Sequence, residues 1–304
     1  MGSGERVEGE PGIGTLAAFL SAEWRPVEGL NLRPGVRTIV RADYDAPVAI
    51  PSLGAKYVLN DDMDIRLSYA YGFRSPTLQE LYFSFHNANH NIDGNPGLKA
   101  EYSNNFTGSL SWRILHKGSI QLTTTLSGFY NDFRNRIALA EDTKISTRFT
   151  YYNIDRYKTT GGIWENALMW QNLQANIGLS LVGRYNNVAD DGSLKENDLS
   201  AFRFSPEITE SVTYRIAKAD TYLNLFYKYT GSRKEYRHND ITGELYLEGL
   251  DDFHWADFTV SRRAGKYLNI SAGIKNRFDV TMVNGNTSGG GVDDAIEPAA
   301  LFGC

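Results

Sequence analysis

Along almost the whole of this chain, apolar side chains recur at every second position, in segments long enough to be β-strands. Ile65, Leu67, Tyr69 and Tyr71 alternate with Arg66, Ser68, Ala70 and Gly72. Leu122, Thr124 and Leu126 alternate with Gln121, Thr123, Thr125 and Ser127; Ile177, Leu179 and Leu181 with Asn176, Gly178 and Ser180. Leu223, Leu225, Tyr227 and Tyr229 alternate with Asn224, Phe226 and Lys228, and Leu268, Ile270, Ala272 and Ile274 with Asn269, Ser271, Gly273 and Lys275. A strand of about ten residues, rising about 3.3 Å each and tilted about 45°, spans roughly 23 Å. The polar face of such strands suits a wet lumen and not the dry core of a sandwich.

The connections are sorted as well. Short turns are expected near Pro26–Gly29, Asn60–Asp62, His116–Gly118, Gln171–Asn172, Ala217–Asp220 and Ala264–Lys266. Long loops are expected near Ala42–Ala49, Arg74–Leu98, Asn135–Thr150, Asn187–Ser200, Arg237–Phe253 and from Asp279 onward. Short and long alternate throughout. In an up-and-down meander every second connection lies on the same side, so the short turns collect at one rim and the long loops at the other. Outer-membrane barrels have that asymmetry. The expected fold is therefore all-β, an antiparallel up-and-down transmembrane barrel wall of about twelve strands. The strand around Tyr151–Trp170 is long enough to project beyond a bilayer.

Composition excludes more than it selects. A net charge of −5 gives no electrostatic reason to expect nucleic acid. With a mean hydropathy of −0.38 and no run of eighteen apolar residues, no transmembrane helix is expected, which leaves membrane strands open. The 18 Tyr, 15 Phe and 5 Trp suit both the aromatic girdles of a barrel and a tyrosine-rich extracellular sandwich. The one cysteine, Cys304, allows neither a disulfide framework nor a cysteine metal site. The first residues lack the basic and apolar regions of a signal peptide, and the last ones read as a loop cut short, so a piece of a longer protein is expected. No helix with convincing caps is visible. There is no nucleophile elbow, no HExxH and no phosphate loop, so an enzyme is not expected, and no cofactor or resident metal. Glu207 and Asp257 share segments with Arg215 and Arg263 and read as paired lumenal charges.

Three stretches, in order, carry a family resemblance. Glu23-Trp24-Arg25-Pro26 through Leu30-Asn31-Leu32-Arg33-Pro34-Gly35-Val36-Arg37 resembles a periplasmic hairpin of TonB-dependent outer-membrane receptors. The run Gly72-Phe73-Arg74-Ser75-Pro76-Thr77-Leu78, followed by Glu80-Leu81-Tyr82 and by Asn95-Pro96-Gly97-Leu98-Lys99-Ala100-Glu101, resembles their strand–loop–strand signature. Gly273-Ile274-Lys275-Asn276-Arg277-Phe278-Asp279 is similar to the end of their penultimate strand, with Arg277 where an apolar residue is usual. Together these cover about residues 15 to 280.

The resemblance implies the later part of a plugged barrel of about 22 strands. Residues 1–304 then belong to a partial barrel, with the plug domain, first strands and last strand outside them. It implies a receptor in the outer membrane of a Gram-negative bacterium, surrounded by outer-membrane lipid. Such a receptor binds a scarce nutrient in extracellular loops and imports it with energy from the TonB complex, acting through the plug. The ligand class is an iron chelate such as a siderophore, haem or cobalamin. Glycan importers of the family usually carry Trp where Ala100 stands, so a glycan is not expected.

In the signature, Pro76 and Pro96 remove backbone donors, and Gly72 and Gly94 are expected to permit turns. Arg74, Glu80, Lys99 and Glu101 are candidates to pair at the rim. These residues, with Phe73, Leu81, Asn95, Leu98, Asn276, Phe278 and Asp279, are expected to be architectural. Ligand contact is expected from loop residues: Phe85, His86, Asn87 and His90 in one cluster; Arg233, Tyr236, Arg237 and His238 in a second; and Arg148, Tyr151, Tyr152 and Trp255 at the same vestibule. His86 and His90 share a face only if their segment is helical, which its asparagines oppose. Two rival functions stand beside the receptor: a complete small porin-like barrel for passive diffusion, and a secreted β-rich binding domain.

Overall fold

A computed structural model describes residues 16–41, 46–86, 91–142, 145–187, 202–238 and 245–280. The chain runs through β1 (Leu16–Ser21), β2 (Trp24–Val27), β3 (Leu30–Arg41), β4 (Ile50–Asn60) and β5 (Met63–Arg74). A connection holding α1 (Leu78–Tyr82), β6 (Ser84–His86) and β7 (Asn91–Asp93) leads to β8 (Glu101–Lys117). Then follow β9 (Ile120–Asp142), β10 (Ile145–Trp170), β11 (Leu173–Asn187), β12 (Arg203–Ile216) and β13 (Thr221–Thr230). A separate hairpin, β14 (Arg233–His238) with β15 (Leu245–Leu250), precedes β16 (Phe253–Ala264) and β17 (Leu268–Ile274).

The main sheet follows chain order, β1-β3-β4-β5-β8-β9-β10-β11-β12-β13-β16-β17, with antiparallel neighbours throughout. This is the twelve-strand meander expected from the period-two segments. Among the described residues it is open, with β1 and β17 at its edges. The short turns fall where the sequence places them. Left-handed residues close most of them: Gly29, Gly118, Gln171, Asp220 and Gly265 all have positive φ. The β4–β5 turn is closed instead by the Asn60 side chain, which accepts from the Asp62 backbone at 2.9 Å.

The register sorts the side chains into two faces. Directly opposed residues share a face, so Trp112, Thr124 and Asn166 lie in one row, and Leu110, Leu126, Trp164 and Leu179 in the next. With Leu67, Leu181, Leu225 and Ile274 this face is apolar and exposed. The opposite face carries Ser109, Ser111, Thr125, Glu165, Ser211, Asn224 and Thr259. Buried apolar side chains are few among the described residues: Pro76, Leu81, Leu98, Ala100, Ile137 and Ile154. None lies on the strand segments between the short turns and the aromatic row at Phe106 and Tyr130. A water-soluble sheet would bury its apolar face; this one presents it outward, as a wall facing hydrocarbon does.

Two expectations are corrected. The Asn135–Thr150 loop is mostly strand: β9 and β10 continue through it as a hairpin arm, with Tyr151 opposite Leu139 and Asn153 opposite Ile137. A capped helix also exists. In α1 the Thr77 hydroxyl accepts from the Glu80 backbone, and the Glu80 carboxylate accepts from the Thr77 backbone, a complete capping box.

The two faces predict opposite tolerance to charge. In the full-length protein inserted in lipid vesicles, Leu126→Arg places a cation on the outer face and should destabilise the fold by about 2–4 kcal/mol. Thr125→Arg, one residue away and beside Glu165, should change it by under about 1 kcal/mol. Denaturant unfolding of the two variants measures the difference.

Candidate functional site at the rim of the long connections

At the rim where the strands outrun the apolar band, the signature residues form a knot. Arg74, at the end of β5, donates to both carboxylate oxygens of Glu80 in α1 at 2.9 and 3.0 Å, and to Glu101 at the start of β8 at 3.2 Å. Glu101 also accepts from the Ile137 backbone of β9 at 3.1 Å. One guanidinium thus ties β5, α1 and β8, and its partner Glu101 adds β9. Asn95 donates its side-chain amide to the Tyr151 carbonyl of β10 at 2.8 Å, and its backbone N–H to the Glu80 carbonyl at 2.9 Å. Asn153 accepts from the Lys99 backbone and donates to the Lys99 and Asn135 carbonyls, at 2.8 to 3.0 Å. Lys99 thus enters the knot through its backbone.

Under these polar ties lies the hydrophobic core of the described residues, Leu81, Leu98 and Ile137 with Tyr151 packed against them. Pro76, two residues before α1, is fully buried as well. Parallel pairing of β7 with β10 fastens the far end of the connection.

The glycine expectation is changed in its reason. Neither Gly72 nor Gly94 has a positive φ. Gly72 lies within β5, and a side chain there would collide with the Ser103 hydroxyl. At Gly94 a Cβ would come within 2.6 Å of the Leu81–Tyr82 peptide. Close approach, and not a turn, demands both glycines.

The candidate ligand residues are dispersed. His86 ends β6, where its Nε2 lies 2.9 Å from the Ser84 hydroxyl and 3.0 Å from the Asp93 carboxylate. Phe85 neighbours it, in β6 opposite Ile92 of β7, and its ring stacks on Phe83 at 6.2 Å. Asn87 and His90 lie outside the described residues, as do the side chains of Arg148, Tyr236, Arg237 and His238. Tyr151 belongs to the core of the knot, where burial and then the nearby Glu80 carboxylate raise its phenol above the ordinary value. No group of three metal-binding side chains occurs among the described residues. Asn276 stands just past β17, accepting from and donating to Val280, and its backbone donates to Asp257 at 2.8 Å. Phe278 lies 5.7 Å from the His254 ring, and Asp279 closes the turn by donating to the Asn276 carbonyl.

A second feature at this rim escaped the sequence. Arg184 of β11 and Arg203 of β12 are directly opposed, on the polar face. With Ser205, Ser232 and Arg233 they line a cavity of about 320 Å³. Arg233 pairs with Glu207 at 3.2 Å, and Lys228 approaches the same carboxylate at 3.9 Å. Trp255 stands opposite Lys228 on this face. Glu207 is thus paired, but with these cations and not with Arg215, which binds Asp220 instead. Two buried polar atoms nearby, Arg233 Nε and Thr230 Oγ1, have no hydrogen-bond partner. The arrangement suits an anionic guest. Only the register brings Arg184 and Arg203 together, so no local motif could have revealed them.

A family model described as TonB dependent receptor-like, beta-barrel, matches residues 8–276. A haemoglobin and haemoglobin–haptoglobin-binding protein B of Haemophilus influenzae is 37% identical over 90 residues, which are 30% of this chain and 8% of that protein. A haemoglobin and haemoglobin–haptoglobin-binding protein of Haemophilus ducreyi is 39% identical over 80 residues, covering 26% of this chain and 8% of the relative. Among solved structures, a ferric enterobactin receptor of Pseudomonas aeruginosa superposes with a TM-score of 0.62 at 19% identity, over 86% of this chain and 40% of that receptor. The FrpB iron transporter of Neisseria meningitidis gives the same TM-score at 18% identity and the same coverage. The chain thus spans about two fifths of those solved receptors, and its matches cover under a tenth of the curated relatives.

The knot predicts an acid-sensitive connection. Burial pushes the Glu80 carboxyl up, but the Thr77 backbone N–H and the Arg74 guanidinium outweigh it and hold the group below its ordinary value. A carboxyl lowered on folding stabilises fully above its unfolded pKa, and that contribution is lost as pH falls through the folded value, in a window below about pH 4.3. Backbone amides of residues 77–86 and 91–100 should therefore lose hydrogen-exchange protection on acidification before those of residues 122–126, and Glu80→Gln should remove most of that difference.

Proposed function

This chain belongs to the TonB-dependent receptor-like β-barrel family, and we propose that it forms part of an outer-membrane receptor that takes up haem, an anionic iron porphyrin. The observation that carries this reading is the sorting of the wall, with apolar residues outward, polar residues inward and the long connections at one rim. That geometry suits a barrel in a Gram-negative outer membrane, with this rim outside the cell. A conduit with a cationic notch at its mouth is equipped to recruit a ligand.

Haem is favoured among iron ligands by two facts. The curated relatives are named for haemoglobin binding, and Arg184, Arg203 and Arg233 offer guanidiniums suited to its two carboxylates. Trp255, opposite Lys228, would add to the same mouth. Phe85 and His86, in β6, would form a second contact region. An anionic ferric siderophore is the second reading, favoured by the same cations. Cobalamin has the family resemblance alone. Energy would come from the TonB complex through a plug encoded elsewhere in the same protein, and the remaining strands would close the barrel.

Growth separates these readings. Iron-starved cells whose haem uptake depends on the full-length protein should grow on haem or haemoglobin as sole iron source and stop when the proton gradient is collapsed. Arg184→Ala with Arg233→Ala should weaken haem binding roughly tenfold or more, by loss of charge-assisted hydrogen bonds. Growth on a ferric siderophore but not on haem would replace the first reading by the second. Uptake that survives collapse of the gradient would favour passive diffusion. Recovery of the full-length protein without detergent would favour the secreted binding domain.

A further inference from the structure

Glu207 stands at the foot of the cationic notch and ties down one of its guanidiniums. It lies on the polar face of β12, four residues along the strand from Arg203, or about 13 Å. Thr230 of β13 is directly opposite. Glu207 is not on the lining of the cavity that Arg184, Arg203 and Arg233 share. Its Oε1 nevertheless accepts from Nη2 of Arg233 at 3.2 Å, and its Oε2 lies 3.9 Å from the Lys228 ammonium. Arg233 is therefore shared between the wall of the cavity and the carboxylate below it.

The tie is incomplete. A guanidinium grips a carboxylate best along an edge, where two N–H groups meet two oxygens. Glu207 meets one N–H of Arg233 with one oxygen, while Arg233 Nε is buried without a partner. The Thr230 hydroxyl across the strand pair is in the same condition. Buried donors left unmade are costly, so a better acceptor would improve on this arrangement. Release of Arg233 does not strand Glu207, because Lys228 remains beside it. A buried carboxylate with no cation would be strongly disfavoured. At the top of the cavity the opposed Arg184 and Arg203 form a separate cationic seat.

We propose that Glu207 is an exchangeable internal counter-ion that makes the notch select a guest with two carboxylates. This exchange rests on the notch receiving haem, as proposed above. One carboxylate of the guest occupies the seat between Arg184 and Arg203. The second takes Arg233 edge-on, and Glu207 passes to Lys228. A guest with one carboxylate is satisfied at the seat and leaves the pair of Arg233 and Glu207 closed. Glu207 is thus a specificity-determining residue that need not touch the guest.

The test is titration of the full-length protein in mild detergent, followed by haem absorbance, with ferric haem and with its monomethyl and dimethyl esters. Glu207→Gln keeps the shape and removes the competing charge. It should tighten haem binding roughly threefold to tenfold and change binding of the monomethyl ester by less than about twofold. Heat-modifiable migration reports an intact barrel. Arg233→Lys keeps the charge but loses the edge, and should abolish the preference for haem over the monomethyl ester; it decides the matter if the first variant does not fold. A purely structural ion pair predicts a less stable Glu207→Gln barrel with haem binding unchanged or weaker, and that result overturns the proposal. An equal gain for haem and the monomethyl ester also overturns it, since Glu207 then acts only on the general potential. A preference for haem that survives Arg233→Lys does the same. In each of these cases a native preference for haem over its dimethyl ester leaves the haem reading standing. Native protein that binds both alike refutes the notch as the haem seat, and the exchange with it.

Discussion

Hydrocarbon offers no hydrogen bonds, so every backbone N–H and C=O within it must be satisfied by a neighbouring strand. That constraint explains the long, regular ladders of this sheet. The β9–β10 pairing runs without a shift of register from Trp170 opposite Ile120 to Tyr151 opposite Leu139, interrupted only at Asp155 and the left-handed Asn135. A slip of one residue would carry Leu126 and Trp164 to the lumen and Thr125 and Glu165 to the lipid. The tight turns closed by Gly118, Gln171 and Asp220 hold the register from one rim. Once that rim is fixed, the composition of each face follows from what it touches.

At the other rim the constraint relaxes. Beyond Tyr130 and Phe106 the strands meet water, and the outer face becomes polar with Asn104, Asp132 and Arg156. There the chain must stabilise its long connections by other means, and it does so with a small separate core. Leu81, Leu98 and Ile137 supply apolar burial, while Arg74, Glu80, Glu101, Asn95 and Asn153 satisfy the polar groups around it. The residues that identify the family are therefore mostly those that anchor one connection to the wall. The cationic notch of Arg184, Arg203 and Arg233 lies apart from them.

The strands and short turns were legible because lipid on one side and water on the other impose a period of two. That signal ends with the lipid, which is why the upper arms of β9 and β10 read as loop. In Asn135–Thr150 no face is required to be apolar throughout. The helix α1 was legible in principle, since Thr77 and Glu80 stand at capping-box spacing. Its five residues are too few to show a helical period. His86 and His90 were paired on the condition of a helix, but His86 ends a strand and is held by Ser84 and Asp93. Arg184 and Arg203 are 19 residues apart in sequence, and their meeting depends on the β11–β12 register. Long-range pairing of this kind leaves no local trace.

The most direct test of the two-faced wall is a spin-label scan of single cysteines along β9, from Ile120 to Tyr130, in the full-length protein reconstituted into lipid. Collision with oxygen reports lipid exposure, and collision with a water-soluble nickel chelate reports the lumen. The account predicts strict alternation, with positions 120, 122, 124, 126, 128 and 130 accessible to oxygen and the odd positions accessible to nickel. Accessibility without a period of two, or nickel access at position 126, would contradict it.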